Sequence, residues 1–247
     1  MALHRKLHAI DKLEPDIAVL PEIARPDVIA NKASGFNPDL CLWAGRSLHK
    51  GLGVIAQSNR WDIEIDDSYD PLNSVVLPVR VRGPIDFNLL AIWSIHVDGK
   101  KPTFRTPGNV LRAIEASEKF CQELPLVVAG DFNNAVVWDK PGNMNNMAEI
   151  DRALRDLGLV SAYHQSNACD LGNELDSTLY WRDRKKDGPQ YHIDYVYIPK
   201  RWSRLPYDLS VGQFDDWIGN GLSDHVPISL SFRMQDLLVT EASKHRS

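Results

Sequence analysis

The chain has 247 residues, of which 43% are hydrophobic and 25% are charged, and this composition excludes intrinsically disordered and fibrous proteins. Its formal net charge of −5 at pH 7 argues against a protein that holds nucleic acid through overall positive charge. No apolar run approaches the roughly eighteen residues needed to cross a bilayer, and the first residues lack a signal-peptide pattern, so we expect a cytoplasmic protein without membrane association.

The N-terminal segment predicts a helix that leads into a buried strand. Apolar side chains recur at spacings of four and three, as in an amphipathic helix: Leu3, Leu7, Ile10 and Leu13. The predicted helix covers residues 2–13. Residues Ile17–Pro21 follow as a short apolar run without helical period, which we interpret as a strand buried on both faces.

Apolar runs separated by Gly, Pro, Asn and Asp predict short strands along the rest of the chain. They are, in order, Leu40–Trp43, Leu52–Ala56, Ile63–Ile65, Val75–Val81, Phe87–Ile95, Leu126–Ala129, Ser177–Trp181, Tyr191–Ile198, Leu209–Gly212 and Val226–Phe232. Helices are predicted at residues 108–121 and 147–157. We expect one domain over residues 1–232, with two packed sheets and helices outside, and a polar tail at 233–247 that begins as a helix.

Polar side chains follow two of the predicted strands. Glu22 comes directly after the first strand, while Asp131 and Asn133 have a spacing of two that can send both side chains toward one point. Gly130 before them permits a tight backbone turn. An Asp can accept a proton from an attacking water while an Asn donates a hydrogen bond to a phosphate oxygen. An Asx turn at Asp131 and a solvated loop at Glu22 are the structural alternatives.

The last strands carry an acid and a histidine that are suited to pair. Asp194 lies in an apolar strand, so we expect it to be partly buried and to need a partner. His225, preceded by Asp224, supplies an imidazole at the start of the final strand, and an Asp–His pair would favour the imidazolium beside a phosphate. His96, at the end of another strand, adds a second imidazole. The alternatives are a solvent-facing Asp194 and a packed or surface His96.

Two segments carry local positive charge on this acidic chain. The first contains Lys100, Lys101, Arg105 and Arg112, and the second contains Arg182, Arg184, Lys185 and Lys186. If both border one cleft, Arg105, Arg182 and Lys185 are candidate substrate-binding residues; otherwise the segments are solvated loops. Trp138, Tyr180 and Trp181 are candidates for stacking on bases, although aromatic residues in strands more often belong to the core.

Taken together and in this order, these motifs resemble the endonuclease/exonuclease/phosphatase family, which includes the DNase I and exonuclease III types. The matching stretches, which span residues 15–230, are Pro-Asp-Ile-Ala-Val-Leu-Pro-Glu22, Gly51-Leu-Gly53-Val-Ile, Trp-Ser-Ile-His96, Gly-Asp131-Phe-Asn133, His-Ile-Asp194-Tyr-Val and Ser-Asp224-His225-Val-Pro. The resemblance implies an α/β (α+β) four-layer sandwich, with two packed mixed sheets flanked by helices and a catalytic cleft at one edge of the sheets.

The resemblance also implies a cofactor, Mg²⁺ or Mn²⁺, and a role for each polar residue. Glu22 would bind the metal and Asp224 would lie near it, while Asp131 would position or deprotonate the water. Asn133, His225 and His96 would contact the phosphate, and Asp194 would orient His225. The ion would polarise the phosphate and offset charge on the leaving oxygen.

One part of the family pattern is missing. Members usually begin with a strand that carries an Asn in a Trp-Asn-x-x-Gly type motif, whereas Met1 here opens directly onto the first predicted helix. A start codon assigned too late, a trimmed sequence or a true loss of the strand would each explain this difference. A chain without that central strand has unpaired backbone groups, so we expect reduced stability, reduced metal affinity, or both.

Three functions are compatible with the sequence. The leading hypothesis is a nuclease that cleaves phosphodiester bonds of DNA, with RNA as the other polymer, and without an obligate protein partner. The second keeps the chemistry but takes a small phosphodiester or phosphomonoester, such as a metabolite or lipid headgroup, which the charge of −5 favours. The third is a non-catalytic binding domain with the same fold, against which the retention of a water-activating Asp131 argues.

Overall fold

The computed structural model describes residues 3–71, 76–94, 110–142, 146–181 and 185–244, apart from the side chains of Arg46 and Lys244. The helices are α1 (Leu7–Asp11), α2 (Pro26–Ala30), α3 (Val110–Ala116), α4 (Glu118–Glu123), α5 (Met147–Asp156), α6 (Ala162–Asn167) and α7 (Met234–Lys244). The strands are β1 (Ile17–Ile23), β2 (Cys41–Ser47), β3 (Lys50–Ala56), β4 (Asp62–Ile65), β5 (Val76–Arg82), β6 (Phe87–Trp93), β7 (Leu126–Asp131), β8 (Leu159–Ser161), β9 (Leu179–Tyr180), β10 (Gln190–Tyr191), β11 (Asp194–Pro199), β12 (Tyr207–Val211) and β13 (Ile228–Phe232).

A six-stranded mixed sheet, in the order β4-β5-β6-β7-β11-β8, forms one inner layer. The short links between β4, β5 and β6 give antiparallel pairs, whereas β6 and β7 are parallel and are joined by a long crossover. The carboxyl end of β7 therefore lies beside that of β6, with Trp93 opposite Asp131. This register places Asp131 at the edge where the chain leaves the sheet.

The second inner layer consists of two pieces, β1-β3-β2 and β12-β13, and all of their described pairs are antiparallel. The core between the two layers includes Leu52 and Val54 from β3 and Leu77 and Val79 from β5. Helices α3, α4 and α5 cover the outer face of the six-stranded sheet. Helices α1 and α2 pack against the outer face of the β1-β3-β2 piece. The fold is therefore a four-layer α/β sandwich, as the sequence predicted.

Within the described residues, the second layer has no strand at the place where the family pattern puts a further one. Each of β1 and β13 pairs with a described strand on one side only. β1 contacts β6 and β7, and β13 contacts β11, so the opening between them lies over β7. There, Val127 and Ala129 stay partly exposed although β7 is a central strand. The expectation that Ile17–Pro21 is buried on both faces is wrong, because these residues are all half-buried at this open edge.

Several predicted elements have different bounds in the structure. The helix expected at 108–121 breaks at Ser117 into α3 and α4, and the strand Tyr191–Ile198 breaks at residues 192–193 into β10 and β11. Helices α2 and α6 and strand β8 were not predicted. Residues 234–244, which the sequence assigned to the tail, form α7, with Leu237 buried in the inner core and Glu241 bound to Arg201. No described helix is long and apolar enough to span a membrane.

Candidate active site

Two carboxylates face each other at the end of the six-stranded sheet. Asp131 is the last residue of β7 and Asp194 the first of the antiparallel β11, and the two are directly opposite in register. Gly130 lets β7 lie close to β6 beside this pair of acids. Its φ is +139°, and an added Cβ would clash with the carbonyl oxygen of Ile92 in β6. Its role is close contact with β6, which differs from the tight turn that the sequence suggested.

Asn133 fixes the carboxylate of Asp131. Its backbone N–H donates to Asp131 Oδ1 at 2.7 Å, and its side-chain Nδ2 donates to Asp131 Oδ2 at 2.9 Å and to the carbonyl oxygen of Ser94 at 2.6 Å. Asn133 has a φ of +46°, a left-handed conformation that Asn tolerates better than most residues. The spacing of two therefore brings both side chains to one point, and the amide of Asn133 is used to orient Asp131.

Asp131 is 4% exposed, and its environment disfavours its charge. Burial raises the pKa of Asp131 well above its usual range, and the negative charge of Asp194 raises it further, while His225 acts in the opposite direction. A cation placed beside this carboxylate would therefore relieve a large electrostatic penalty.

His225 pairs with Asp194, which is the partner expected for that strand acid. The distance from His225 Nδ1 to Asp194 Oδ2 is 2.9 Å, and both side chains are largely buried. Burial by itself lowers the pKa of His225, but the charge and hydrogen bond of Asp194 and the charge of Asp131 together raise it to about 10. His225 is thus an imidazolium at neutral pH, with Nδ1 donating to Asp194.

The hydroxyl of Thr178 positions Asp194. Its Oγ1 accepts hydrogen bonds from the backbone N–H groups of Ile193 at 3.0 Å and Asp194 at 3.1 Å. These hydrogen bonds lie at the break between β10 and β11 and fix the backbone at the point where Asp194 begins β11. Sequence reasoning missed Thr178, because its partner groups lie fifteen and sixteen residues away and no local pattern marks them.

Asp131, Asp194 and His225 form a group whose potential ligand atoms all lie within 4.8 Å of one another, and within the described ranges it is the one such cluster of acids, histidines and cysteines. Two carboxylates suit the hard cations Mg²⁺ and Mn²⁺, which prefer oxygen ligands. The residues present therefore fit a divalent metal, although a charged His225 would contribute to phosphate binding and not to metal binding.

Glu22 and Asp224 lie at the rim of this group. Glu22 lies within an irregularity of β1, has a φ of +61°, and forms an ion pair with Lys50 at 2.7 Å, with 41% of its side chain exposed. Its charge contributes to the raised pKa of Asp131, and that of Asp224 to the raised pKa of His225. The structure therefore places both acids near the centre but outside the 4.8 Å group.

Lys6 is a further charged residue of this region that sequence reasoning missed. Burial lowers the pKa of Lys6, against the raising effect of the negative charges of Asp224, Glu22 and Asp194. Lys6 directly precedes α1 and lies near the acids through the fold alone, so a sequence pattern gives no signal for it.

Of the remaining basic candidate residues, only one is among the described residues. His96, Arg105 and Arg182 lie outside the described residues. Lys185 is described and is exposed on the loop between β9 and β10, beside Lys186, which pairs with Asp215 at 3.3 Å.

No protein-family model and no curated protein matches the chain. Among solved structures it is similar to a 3'-5' exonuclease, NExo, from Neisseria meningitidis, at 19% identity and a TM-score of 0.61, with 94% of this chain and 96% of that chain covered. It is also similar to the 3' phosphatase NExo from Neisseria bound to a product DNA hairpin (18%, TM-score 0.63, 94% and 96% covered). An AP endonuclease from Archaeoglobus fulgidus is a third similar structure (17%, TM-score 0.61, 93% of each chain).

Proposed function

We propose that this chain, which has the DNase I-like α/β-sandwich fold of those structures, is a divalent-metal-dependent phosphoesterase that hydrolyses phosphodiester bonds of nucleic acid, DNA in the first place. The observation that carries the proposal is the convergence of Asp131, Asp194 and His225, from three separate segments, within 4.8 Å. A buried acid beside an imidazolium provides a proton acceptor and a fixed positive charge at one point. Those are the two groups that hydrolysis of a phosphate ester needs.

Different residues of this chain carry out different parts of the proposed reaction. Asp131, oriented by Asn133, accepts the proton of the attacking water as the new O–P bond forms. His225, held by Asp194, donates a hydrogen bond to a non-bridging phosphate oxygen and offsets the charge that gathers as the ester P–O bond breaks. The leaving oxygen takes its proton from solvent. His96, outside the described residues, is proposed as a further phosphate contact.

Glu22 and Asp224 are the proposed ligands that would hold Mg²⁺ or Mn²⁺. The bound ion would supply Lewis-acid polarisation of the phosphate. Its fit rests on the four carboxylates gathered at the site, which meet the positive charges of His225, Lys6 and Lys50. The Lys50–Glu22 pair would have to open for Glu22 to bind the metal.

The nucleic-acid substrate is supported by the similar NExo structure, which is bound to a product DNA hairpin. Lys185, exposed on the loop next to the site, is proposed to contact the substrate backbone, with Arg105 and Arg182. The formal charge of −5 favours the second candidate, a small phosphodiester, since a polymer of phosphates is repelled by an acidic body.

A substrate panel separates these candidates. Single-stranded, duplex and abasic DNA, RNA and small phosphodiesters are incubated with Mn²⁺ or Mg²⁺, each with and without excess EDTA. The proposal expects turnover of DNA that EDTA abolishes and that falls steeply with added salt, because each neutralised phosphate releases counterions. Turnover of small phosphodiesters alone would replace the polymer by a metabolite, and turnover in excess EDTA would remove the metal from the account.

A further inference from the structure

Three aromatic side chains form a group beside the candidate active site, here called the aromatic shelf: Trp138, Tyr191 and Trp181. The ring centroids of Trp138 and Tyr191 are 4.6 Å apart, and those of Trp181 and Tyr191 are 6.4 Å apart. The shelf lies on a small buried cluster of Ala135, Leu179 and Ile193, which is separate from the three larger cores.

Backbone contacts fix the aromatic shelf relative to the phosphate-binding groups. Tyr180 N–H donates to the carbonyl oxygen of Asp224 at 2.8 Å, and Leu179 bridges to His225 in antiparallel fashion. Tyr191 is opposite Leu179 in the β9–β10 hairpin. Tyr191 therefore lies two strand spacings from His225, roughly 10 Å away. Trp138, another member of the aromatic shelf, lies five residues after Asn133 in the chain.

Trp181 of the aromatic shelf is much more exposed to solvent than four other tryptophans of the described residues. Trp181 is 44% exposed, and Val137 beside Trp138 is 69% exposed, whereas Trp61, Trp93, Trp202 and Trp217 are each at most 7% exposed. The exposed part of a large aromatic ring provides contact area for a flat, apolar partner. The partner must also carry the phosphate that the adjacent site is proposed to bind.

We propose that the aromatic shelf stacks on an unpaired nucleobase of the nucleotide next to the scissile phosphate, which makes single-stranded nucleic acid or a frayed end the preferred substrate. This inference rests on the proposed function. Stacking requires an accessible base face, and in a duplex both faces of each internal base are covered by neighbours. Lys185, exposed on the loop between Trp181 and β10, adds positive charge to that loop.

The test compares Trp181→Ala with Trp181→Phe and with Leu238→Ala, whose parent residue on α7 is also 44% exposed. On a single-stranded oligodeoxynucleotide, Trp181→Ala should raise KM by about 5- to 100-fold, the range measured for loss of one base–aromatic contact. Trp181→Phe and Leu238→Ala should stay within about threefold of the parent, since the first keeps a ring and the second changes a distant surface.

A matched oligonucleotide with abasic residues around the scissile phosphate removes the base and keeps the backbone. All four proteins should cleave it with equal KM. A rise in KM confined to Trp181→Ala on this strand would assign Trp181 to backbone binding or to folding and overturn the proposal. Equal KM values for parent and Trp181→Ala on the base-containing strand would also overturn it.

Binding of the same oligonucleotides, followed by the fluorescence anisotropy of a dye attached to the oligonucleotide in the presence of EDTA, does not depend on turnover. If the parent hydrolyses no phosphodiester but loses base-dependent binding on Trp181→Ala substitution, the proposed reaction fails and the aromatic shelf stands. If the parent hydrolyses small phosphodiesters and binding shows no dependence on the base, the reaction stands and the shelf fails.

Discussion

Replacing Asp194 by Asn should change the stability of the protein in a pH-dependent manner. The folded state raises the pKa of His225 from 6.5 to about 10, and Asp194 Oδ2, 2.9 Å from Nδ1, is the principal source of that rise. Because the folded-state pKa lies above the unfolded-state value, the resulting stabilisation is fully present below about pH 6.5. It disappears as the pH rises through about 10.

The size of the effect follows from the same shift. One pKa unit corresponds to about 1.4 kcal/mol, so protonated His225 stabilises the fold by on the order of 4 kcal/mol at pH 7 and by on the order of 1 kcal/mol at pH 9. Without Asp194, burial lowers the pKa of His225 and most of this contribution is lost. The loss is offset in part because Asp131 is freed from one neighbouring charge.

The assay is urea unfolding of parent and Asp194→Asn at pH 6, 7 and 9 in EDTA. The difference in unfolding free energy should be largest at pH 6 and should shrink by roughly two-thirds or more at pH 9. Glu241→Gln is the matched control, because it breaks another partly buried ion pair, with Arg201, that contains no histidine. A pH-independent difference for Asp194→Asn would refute the reasoning.

Three further predictions concern other parts of the structure. Gly130→Ala should destabilise the fold by roughly 3 kcal/mol or more, since its Cβ would meet the carbonyl oxygen of Ile92; an unchanged Tm would contradict this. Glu22→Gln should weaken Mn²⁺ binding by about tenfold or more with little loss of stability, because the Lys50 pair is half-exposed; calorimetry with equal affinities would exclude Glu22 as a ligand. Backbone amides of β1 should exchange with solvent faster than those of β3, because β1 pairs with a described strand on one side only. Fusing an extended apolar segment before Met1 should slow that exchange and raise Tm. Equal protection of the two strands without the fusion would rule out an open edge at β1.

Much of the layered fold could be predicted from the sequence, because short apolar runs between turn residues identify strands wherever local pattern and final burial agree. The local sequence pattern gave wrong bounds where a tertiary contact determines the end of a strand or helix. The strand through residues 191–198 breaks because Thr178 Oγ1 takes the N–H groups of Ile193 and Asp194. The helix through residues 108–121 breaks at Ser117 without a proline or glycine, so its sequence contains no stop signal.

The candidate site was predictable to a similar extent. The spacing of Asp131 and Asn133, and the need of Asp194 for a partner, follow from strand geometry and from the cost of burying a polar group. The pairing of Glu22 with Lys50 depends on the register of β1 against β3 after an irregularity, which local sequence does not fix. The position of Lys6 depends on how α1 packs across the sheet.

The central claim is that Asp131 activates water at a metal-supported phosphate site. Hydrolysis of bis(4-nitrophenyl) phosphate in Mn²⁺ tests it most directly, with Asp131→Asn compared with Asp66→Asn, since Asp66 is a similarly buried acid that pairs with Arg80 outside the site. The account predicts that the parent and Asp66→Asn turn over the substrate, that EDTA stops both, and that Asp131→Asn loses at least about a hundredfold in kcat. An Asp131→Asn protein that folds and retains the parent rate would contradict the account.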